Sequence, residues 1–327
     1  MRVIKGLLLV LGAALLSVLV YRVGADPILE TLGRLAWWQF LLVCLPYPFV
    51  MAADALGWRF AFARGRPPFR RLYGARLAGE ALNVVGSIGV VGGEAAKAWL
   101  VRRDVTYEES VPSVVIAKTT ITMAQALFLL IGLGLAWILL PVGSDIARGM
   151  AWLLVLELLA VSGFLGAQLT GLVARGGRLL RLFGAIGDAT SAEALDRALR
   201  GYYRTQWRRL TLSVGFHLLG WLLGALEAAL MLWALGVDSS VRLATIIEAL
   251  GSGVRFAAFL VPAHLGPFEA ANAAAFAALG FGAGAGLAFS LVRRARQAVW
   301  ITIGIAVLFA MRWSAGRAAA PDPARVS

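Results

Sequence analysis

Two short segments of this 327-residue chain place carboxylates just after helix-breaking residues, inside sequence that is otherwise apolar. One is Gly92-Gly93-Glu94-Ala95-Ala96-Lys97; the other is Pro262-Ala263-His264-Leu265-Gly266-Pro267-Phe268-Glu269-Ala270-Ala271. A carboxylate at membrane depth is costly and is kept for transport, proton handling or binding a charged substrate. Broken helices at that depth persist only where they are buried or line a cavity. Near them in sequence stand cations for which topology has no use: Lys97, Lys118, Arg255, Arg293, Arg294 and Arg296. Arginine offers phosphate a two-pronged fork and lysine a point charge, so the set suits an anionic head group. The opposing carboxylates, Glu80, Glu94, Glu227, Glu248 and Glu269, can hold a proton, neutralise a cation or bind an amino-modified head group.

Each group also has a plainer role open to it. Glu94 and Lys97, spaced i, i+3, can neutralise each other. Arg293, Arg294 and Arg296 can snorkel to an interface, and Lys118 can lie on a helix end that projects beyond the lipid. Glu157 and Glu227, each alone on an apolar helix, read as helix-to-helix hydrogen bonders. Asp54 with Trp58 and Arg59 reads as a local ion pair. Asn83, Gln125, Asn272 and Gln297 suit interhelical hydrogen bonding.

The elements that must position these residues follow from composition. Hydrophobic residues make up 60% of the chain and charged ones 15%, against roughly 45–50% and 25% in soluble domains. Apolar runs at 6–21, 37–62, 111–140, 152–169, 211–235 and 287–311 approach the ~20 residues that cross a bilayer. No stretch is polar enough for a separate soluble domain. The expectation is one integral membrane domain over 1–317, with a connector at 170–210, and a cytoplasmic tail over 318–327. The lone cysteine, Cys44, excludes internal disulfides and thiolate clusters and is expected to pack among apolar neighbours. Arg2 and Lys5 before the first apolar run resemble a signal peptide, but Arg22 just before Val23-Gly24-Ala25 argues for a retained anchor.

A net charge of +13 would in a soluble protein suggest nucleic acid; here its placement argues against a nucleic-acid partner. With six full spans and both motif segments returning to the side they entered, 20 Lys and Arg fall on the side of the N-terminus, Arg76 among them. Only Arg22, Arg34, Arg148 and Arg242 fall on the other. The positive-inside rule then sets both termini in the cytoplasm. If 79–100 crossed fully, Arg102 and Arg103 would land outside or every later loop would invert, so the re-entrant arrangement is preferred. In the connector, Leu179, Leu180, Leu182 and Phe183 interleave with Arg175, Arg178 and Arg181. That suits a basic amphipathic helix on an anionic leaflet, or a solvated connector that only fixes topology. Gly187-Asp188-Ala189-Thr190-Ser191 breaks it, and a further helix starts at Ser191. Tryptophans near span ends, at 37, 38, 152, 207, 233 and 313, read as interfacial belting.

The two interruptions resemble each other. Each starts Glu-Ala-Leu, at Glu80 and Glu248, and each ends in Gly-x-(x)-Glu-Ala-Ala, at Glu94 and Glu269. Entering from opposite sides, they form the pattern of an inverted repeat whose broken helices meet near the midplane. The expected fold is an all-α polytopic membrane protein with six transmembrane helices plus two re-entrant broken-helix segments, arranged as an inverted repeat.

At this level the chain resembles the lysylphosphatidylglycerol synthase transmembrane region, or flippase-like, family. Asn83, Gly92-Gly93-Glu94, Lys97 and Arg102-Arg103 are similar to its Asn…Gly-Gly-Glu/Asp-x-x-Arg segment. Pro262, Gly266, Glu269 and Gly280 are similar to its Pro-Gly-Gly-x-Gly-x-x-Glu segment. Ser87 stands where proline is expected, Lys97 where arginine is commoner, and Ala263-His264 where paired glycines are typical. The resemblance implies lipid translocation in the bacterial inner membrane without the aminoacyl-transferase domain of fused members. It further implies kinship with a stand-alone subgroup associated with hopanoid lipid biosynthesis.

The expected substrate-binding set is Asn83, Gly92, Gly93, Glu94, Lys97, Lys118, Arg255, Pro262, Gly266, Glu269 and Arg293, with membrane lipids bearing anionic or lipid-linked head groups as partners. Two other classes stay open: a non-transporting scaffold of a lipid-biosynthetic enzyme, and a membrane-embedded hydrolase or transferase using Glu94, His264 and Glu269. Enzyme signals are poor. His217 and His264 have no metal-ligand spacing, and no phosphate-binding Gly-x-x-x-x-Gly-Lys loop exists. The run Gly280–Gly286 lacks the strand a dinucleotide site needs and reads as a loop and a close-packing helix start. No cofactor, no metal and no enzymatic activity are expected.

Overall fold

The computed structural model describes residues 2–85, 90–171 and 189–317, and the regular structure in them is helical throughout. Residues 86–89, with Ser87, the basic amphipathic stretch at 175–183, the Gly187-Asp188 break and the tail from 318 lie outside the described residues. In order, the elements are α1 (Arg2–Val23), α2 (Ala25–Gly33), α3 (Trp37–Cys44), α4 (Pro46–Ala61), α5 (Phe69–Val85) and α6 (Val90–Leu100). They continue with α7 (Tyr107–Leu139), α8 (Asp145–Thr170), α9 (Ala189–Thr205), α10 (Trp207–Ala234), α11 (Val241–Ala257), α12 (Pro267–Ala278) and α13 (Ala283–Arg317). A 3₁₀ turn at Pro262–His264 joins α11 to α12.

The breaks fall where local chemistry demands them. Gly24 at φ 84° turns α2 by 87° from α1. Pro46 lacks the N–H needed to continue α3 and starts α4. Gly171 closes α8 in the left-handed region. Ser240 caps α11 by accepting from the Leu243 N–H. Among the described residues five helical stretches are long and apolar enough to cross a membrane, 37–61 counted as one, and α1 with α2 makes a sixth if that bent pair is one span. All six apolar stretches read from the sequence are helices in the structure.

Close contacts give the directions. Gly57 and Gly220 set α4 antiparallel to α10, against His217 and Asp54 respectively. Gly132 faces Ala249, and Gly253 faces Leu129, so α7 and α11 are antiparallel. Thr120 meets Ser213 and Phe128 stacks on Trp221, so α7 and α10 run parallel. Small residues at these seams let backbones approach, which is how helices associate without a hydrophobic drive in lipid.

Within this frame α5 and α6 form one hairpin and α11 and α12 a second. A Cβ on Gly93 would strike the Gly79 carbonyl and Asn83, so α6 folds straight back along α5. Phe268 of α12 likewise lies on Gly251 of α11. The re-entrant expectation therefore describes both segments. The first leg α5 starts at the face where α4 ends and runs parallel to α7, whereas α11 runs against α7. The hairpins thus enter from opposite faces; the inverted repeat itself stays a reading of the sequence.

Among the described residues four apolar clusters hold the frame, the smallest of them Ile28, Ala273, Leu287 and Ala288 of α2, α12 and α13. Trp58, Phe62, Leu72 and Tyr202 knit α4, α5 and α9 to α7. Val43, Met231, Phe276 and Phe289 join α3, α10, α12 and α13. Phe128, Leu133, Met150 and Ile246 join α7, α8 and α11. Trp37, Trp38, Trp152, Trp207, Trp233 and Trp313 are all exposed, as an aromatic belt requires, and Cys44 is buried. The connector helix begins at Ala189 rather than Ser191.

Candidate functional site

Depth is set by α1 and α13. Gly12, midway along α1, lies against the Leu265 carbonyl and Gly266, so the second hairpin turns at mid-span. Gly304 of α13 lies on Leu77 and Ala81 of α5, and Gly74 lies on Met311. This antiparallel register carries the end of α5 to the level of Gln297 and Trp300, and indeed Glu80, Ala81 and Val84 share a small cavity with both. Three residues away, Arg294 binds the second hairpin. The described end of α5 and the second break therefore lie close together along α13.

The second break is a pinned loop. Arg294 donates through Nε (2.8 Å) and Nη2 (2.6 Å) to Glu269 Oε1, and through Nη1 to the Ala263 carbonyl at 2.8 Å. The other Glu269 oxygen accepts from the Gly266 N–H at 2.7 Å, capping α12 behind Pro267. Ala263 and His264 sit at φ 52° and 56°, and Gly266 at 91°. This left-handed region favours glycine, and two non-glycine residues here are held by the Arg294 contact and the buried Glu269. Pro262 opens the turn.

Arg293 engages Glu248 through both Nη atoms at 3.0 and 2.5 Å, and Arg255 adds Nη2 to the same carboxylate at 2.8 Å. Arg296 pairs with Glu227 at 2.7 Å and lies over the Tyr47 ring. Four consecutive positions of α13 thus send three arginines to carboxylates on α11, α12 and α10. The snorkelling role is overturned for all three, since two are buried and Arg294 is three-quarters covered.

On the first hairpin, Lys97 donates to Glu94 at 2.7 Å across one turn, which is the self-neutralising pair. Gly93, one residue after Gly92, gives the close approach to Asn83, whose Oδ1 is buried with no hydrogen-bond partner among the described residues. Arg76 binds Glu80 and Asp54, each at 2.7 Å. Asp54 in turn meets His217 Nδ1 at 2.9 Å. This corrects two expectations. Asp54 pairs across helices with Arg76 and His217 rather than locally with Arg59, and Arg76 is a buried site residue rather than a topological loop cation. Asp54, Arg76 and His217 were missed because their partnership spans up to 163 positions. The signal available was that Asp54 falls inside an apolar run.

Of the polar residues expected between helices, Gln125 donates to the Ser252 carbonyl and Asn272 to Ser290. Glu227 is an ion-pair partner, and Glu157 has no hydrogen-bond partner at all among the described residues, so neither is the simple interhelical bonder expected. The loop Gly280–Gly282 has positive φ at both glycines, and Gly284 and Gly286 pack on Pro27 and Asn272, matching the loop and close-packing reading.

Lys118 lies 11 residues into α7, ~17 Å from its start at 1.5 Å per residue, and is exposed. It lies within electrostatic reach of His264 in the second break and of Glu80 and Glu94, so it is not a projecting end. The charges of Arg255, Arg294, Glu80 and Lys118 all act on His264, and Lys118 acts on Glu80 and Glu94. Six groups from five elements and the 3₁₀ turn therefore lie within electrostatic reach of His264 or Lys118. Glu80, Glu94, Arg255 and Arg294 are each between 20% and 34% exposed there, and Arg255 Nη1 has no acceptor among the described residues. Arg293, by contrast, is consumed by Glu248. Chemically the site offers cationic donors and two partly exposed carboxylates.

The family described as lysylphosphatidylglycerol synthase TM region matches residues 3–313. No curated protein and no solved structure matches the chain.

Proposed function

Because this chain belongs to the lysylphosphatidylglycerol synthase TM region family, a family of membrane-lipid function, we propose that it moves a lipid or lipid-linked head group between the leaflets of a bacterial inner membrane. The observation that carries this reading is that two oppositely entering hairpins bring partly exposed charged groups within electrostatic reach of one another. A head group crossing there would otherwise lose several kcal/mol of hydration. Lys118, which has no ion-pair partner among the described residues, and the free Nη1 of Arg255 are donors for its phosphate. Glu80 and Glu94 accept from amines or hydroxyls on the same head group. The acyl chains stay in lipid beside the exposed faces of the helices, so only the polar part needs protein.

In this reading the protein moves the lipid without altering it, its arginine-rich face with both termini is cytoplasmic, and the driving force is the lipid gradient, the proton gradient or the membrane potential. The test is purified protein in liposomes with labelled phosphatidylglycerol in one leaflet. Movement well above that in protein-free liposomes, falling about tenfold in Lys118→Ala with unchanged thermal stability, supports the proposal. Movement no faster than in protein-free liposomes overturns it.

A further inference from the structure

We propose that Glu157 of α8 is a proton-binding site, neutral while α8 packs on α11, and that release of its proton accompanies opening of that seam. The proposal rests on the translocation reading only for its consequence, not for the protonation itself.

Glu157 is fully buried, and neither of its carboxylate oxygens has a hydrogen-bond partner among the described residues. Six other buried or half-buried carboxylates of the spanning helices and hairpins are treated differently. Asp54, Glu80, Glu94, Glu227, Glu248 and Glu269 each hold an arginine or lysine within 2.8 Å. A bare carboxylate buried without partner or water costs several kcal/mol, and such a group takes up a proton instead.

The neighbours confirm the isolation. α8 packs on α7, α11 and α9. These bring Lys118, Glu248 and Arg255 and, at the far end beside Gly171 and Gln168, Asp196, Arg200 and Tyr203. None of them bonds to Glu157.

Position gives the proton a use. Leu153 lies on Gly253, and α8 runs parallel to α11, so Glu157, one turn on, is level with Ala257 at the end of α11. That end leads into the break at the central site. A proton lost from Glu157 leaves a charge that only water or a cation can relieve, and separating α8 from α11 admits either. The proton thereby biases the second hairpin between packed and open arrangements.

Infrared spectroscopy of the full-length protein in nanodiscs at neutral pH tests the assignment. A protonated carboxylic-acid carbonyl band is expected in the wild type and absent in Glu157→Gln, with Glu157→Leu as the second variant should the first fold poorly. No such band in the wild type, or an undiminished band in both variants, overturns the proposal. In liposomes, an imposed pH gradient should change the rate of labelled-lipid movement at least threefold in the wild type and not in Glu157→Gln, whose rate without a gradient is retained. A response preserved in Glu157→Gln overturns the coupling. A wild type that moves no lipid overturns the translocation reading instead, while the infrared band still decides the protonation.

Discussion

The first hairpin neutralises its charges largely within itself, and the second spends its charges on the rest of the protein. Glu94 finds Lys97 one turn away and Glu80 finds Arg76 one turn away. Glu248 and Glu269 reach instead to Arg293 and Arg294, 45 and 25 positions later. A pair within a helix steadies that helix by tenths of a kcal/mol. A buried pair between helices fixes their mutual position, and losing one member strands the other in low dielectric. The difference separates a hairpin positioned by close backbone packing from one positioned by charge.

The strongest way to break this comparison is Glu248→Leu. It leaves Arg293 and Arg255 without their acceptor, and about 3–5 kcal/mol of stability should be lost, read as thermal unfolding in detergent. A loss below that of any first-hairpin variant would remove the distinction. Next, Gly93→Ala puts a methyl against the Gly79 carbonyl and Asn83. Because backbone cannot yield as a side chain does, about 1–3 kcal/mol is expected, and an unchanged unfolding temperature would show that α6 does not sit on α5 as described.

Glu94→Gln should cost less, about 1–2 kcal/mol for one charged hydrogen bond, since the charge of Glu80 on the facing helix still acts on Lys97. A double-mutant cycle with Lys97→Met sharpens the point, because its coupling should fall short of that between Glu248 and Arg293. The smallest effect has the opposite sign. Ala263→Gly relieves a left-handed alanine at φ 52° and should stabilise by about 1 kcal/mol, provided the Arg294 contact to its carbonyl persists; destabilisation would mean that the alanine methyl packs in a way that outweighs the strain.

Much of this was legible in the chain. The six apolar stretches became helices because crossing a bilayer is a local matter of length and hydropathy. The second interruption became a break because Pro262 has no N–H to continue a helix and Gly266 takes a positive φ, whereas Gly92 and Gly93, read as helix breakers, lie inside α6, where Gly93 serves as its contact with α5. Glu94 and Lys97 were readable as partners, being one turn apart on one helix. The ionic partners of α13 were not. Nothing near Arg293, Arg294 or Arg296 in sequence indicates Glu248, Glu269 or Glu227, and three arginines in four residues read as well for an interface as for a buried clamp. Ala263 and His264, departures from the glycines of the family, kept the left-handed backbone that glycine would adopt.

By itself the sequence determined that the chain is a helical membrane protein with two broken segments, each bearing a carboxylate, because those properties depend on residues within one or two turns. Only the tertiary structure decided that Asp54 belongs to Arg76 and His217, that Lys118 stands within reach of the second break, and that Glu157 has no hydrogen-bond partner among the described residues. Each of these depends on which helices touch and in what register. That is settled by small-residue seams such as Gly57 on His217 and Gly132 on Ala249, where the identity of one glycine matters less than the surface it meets.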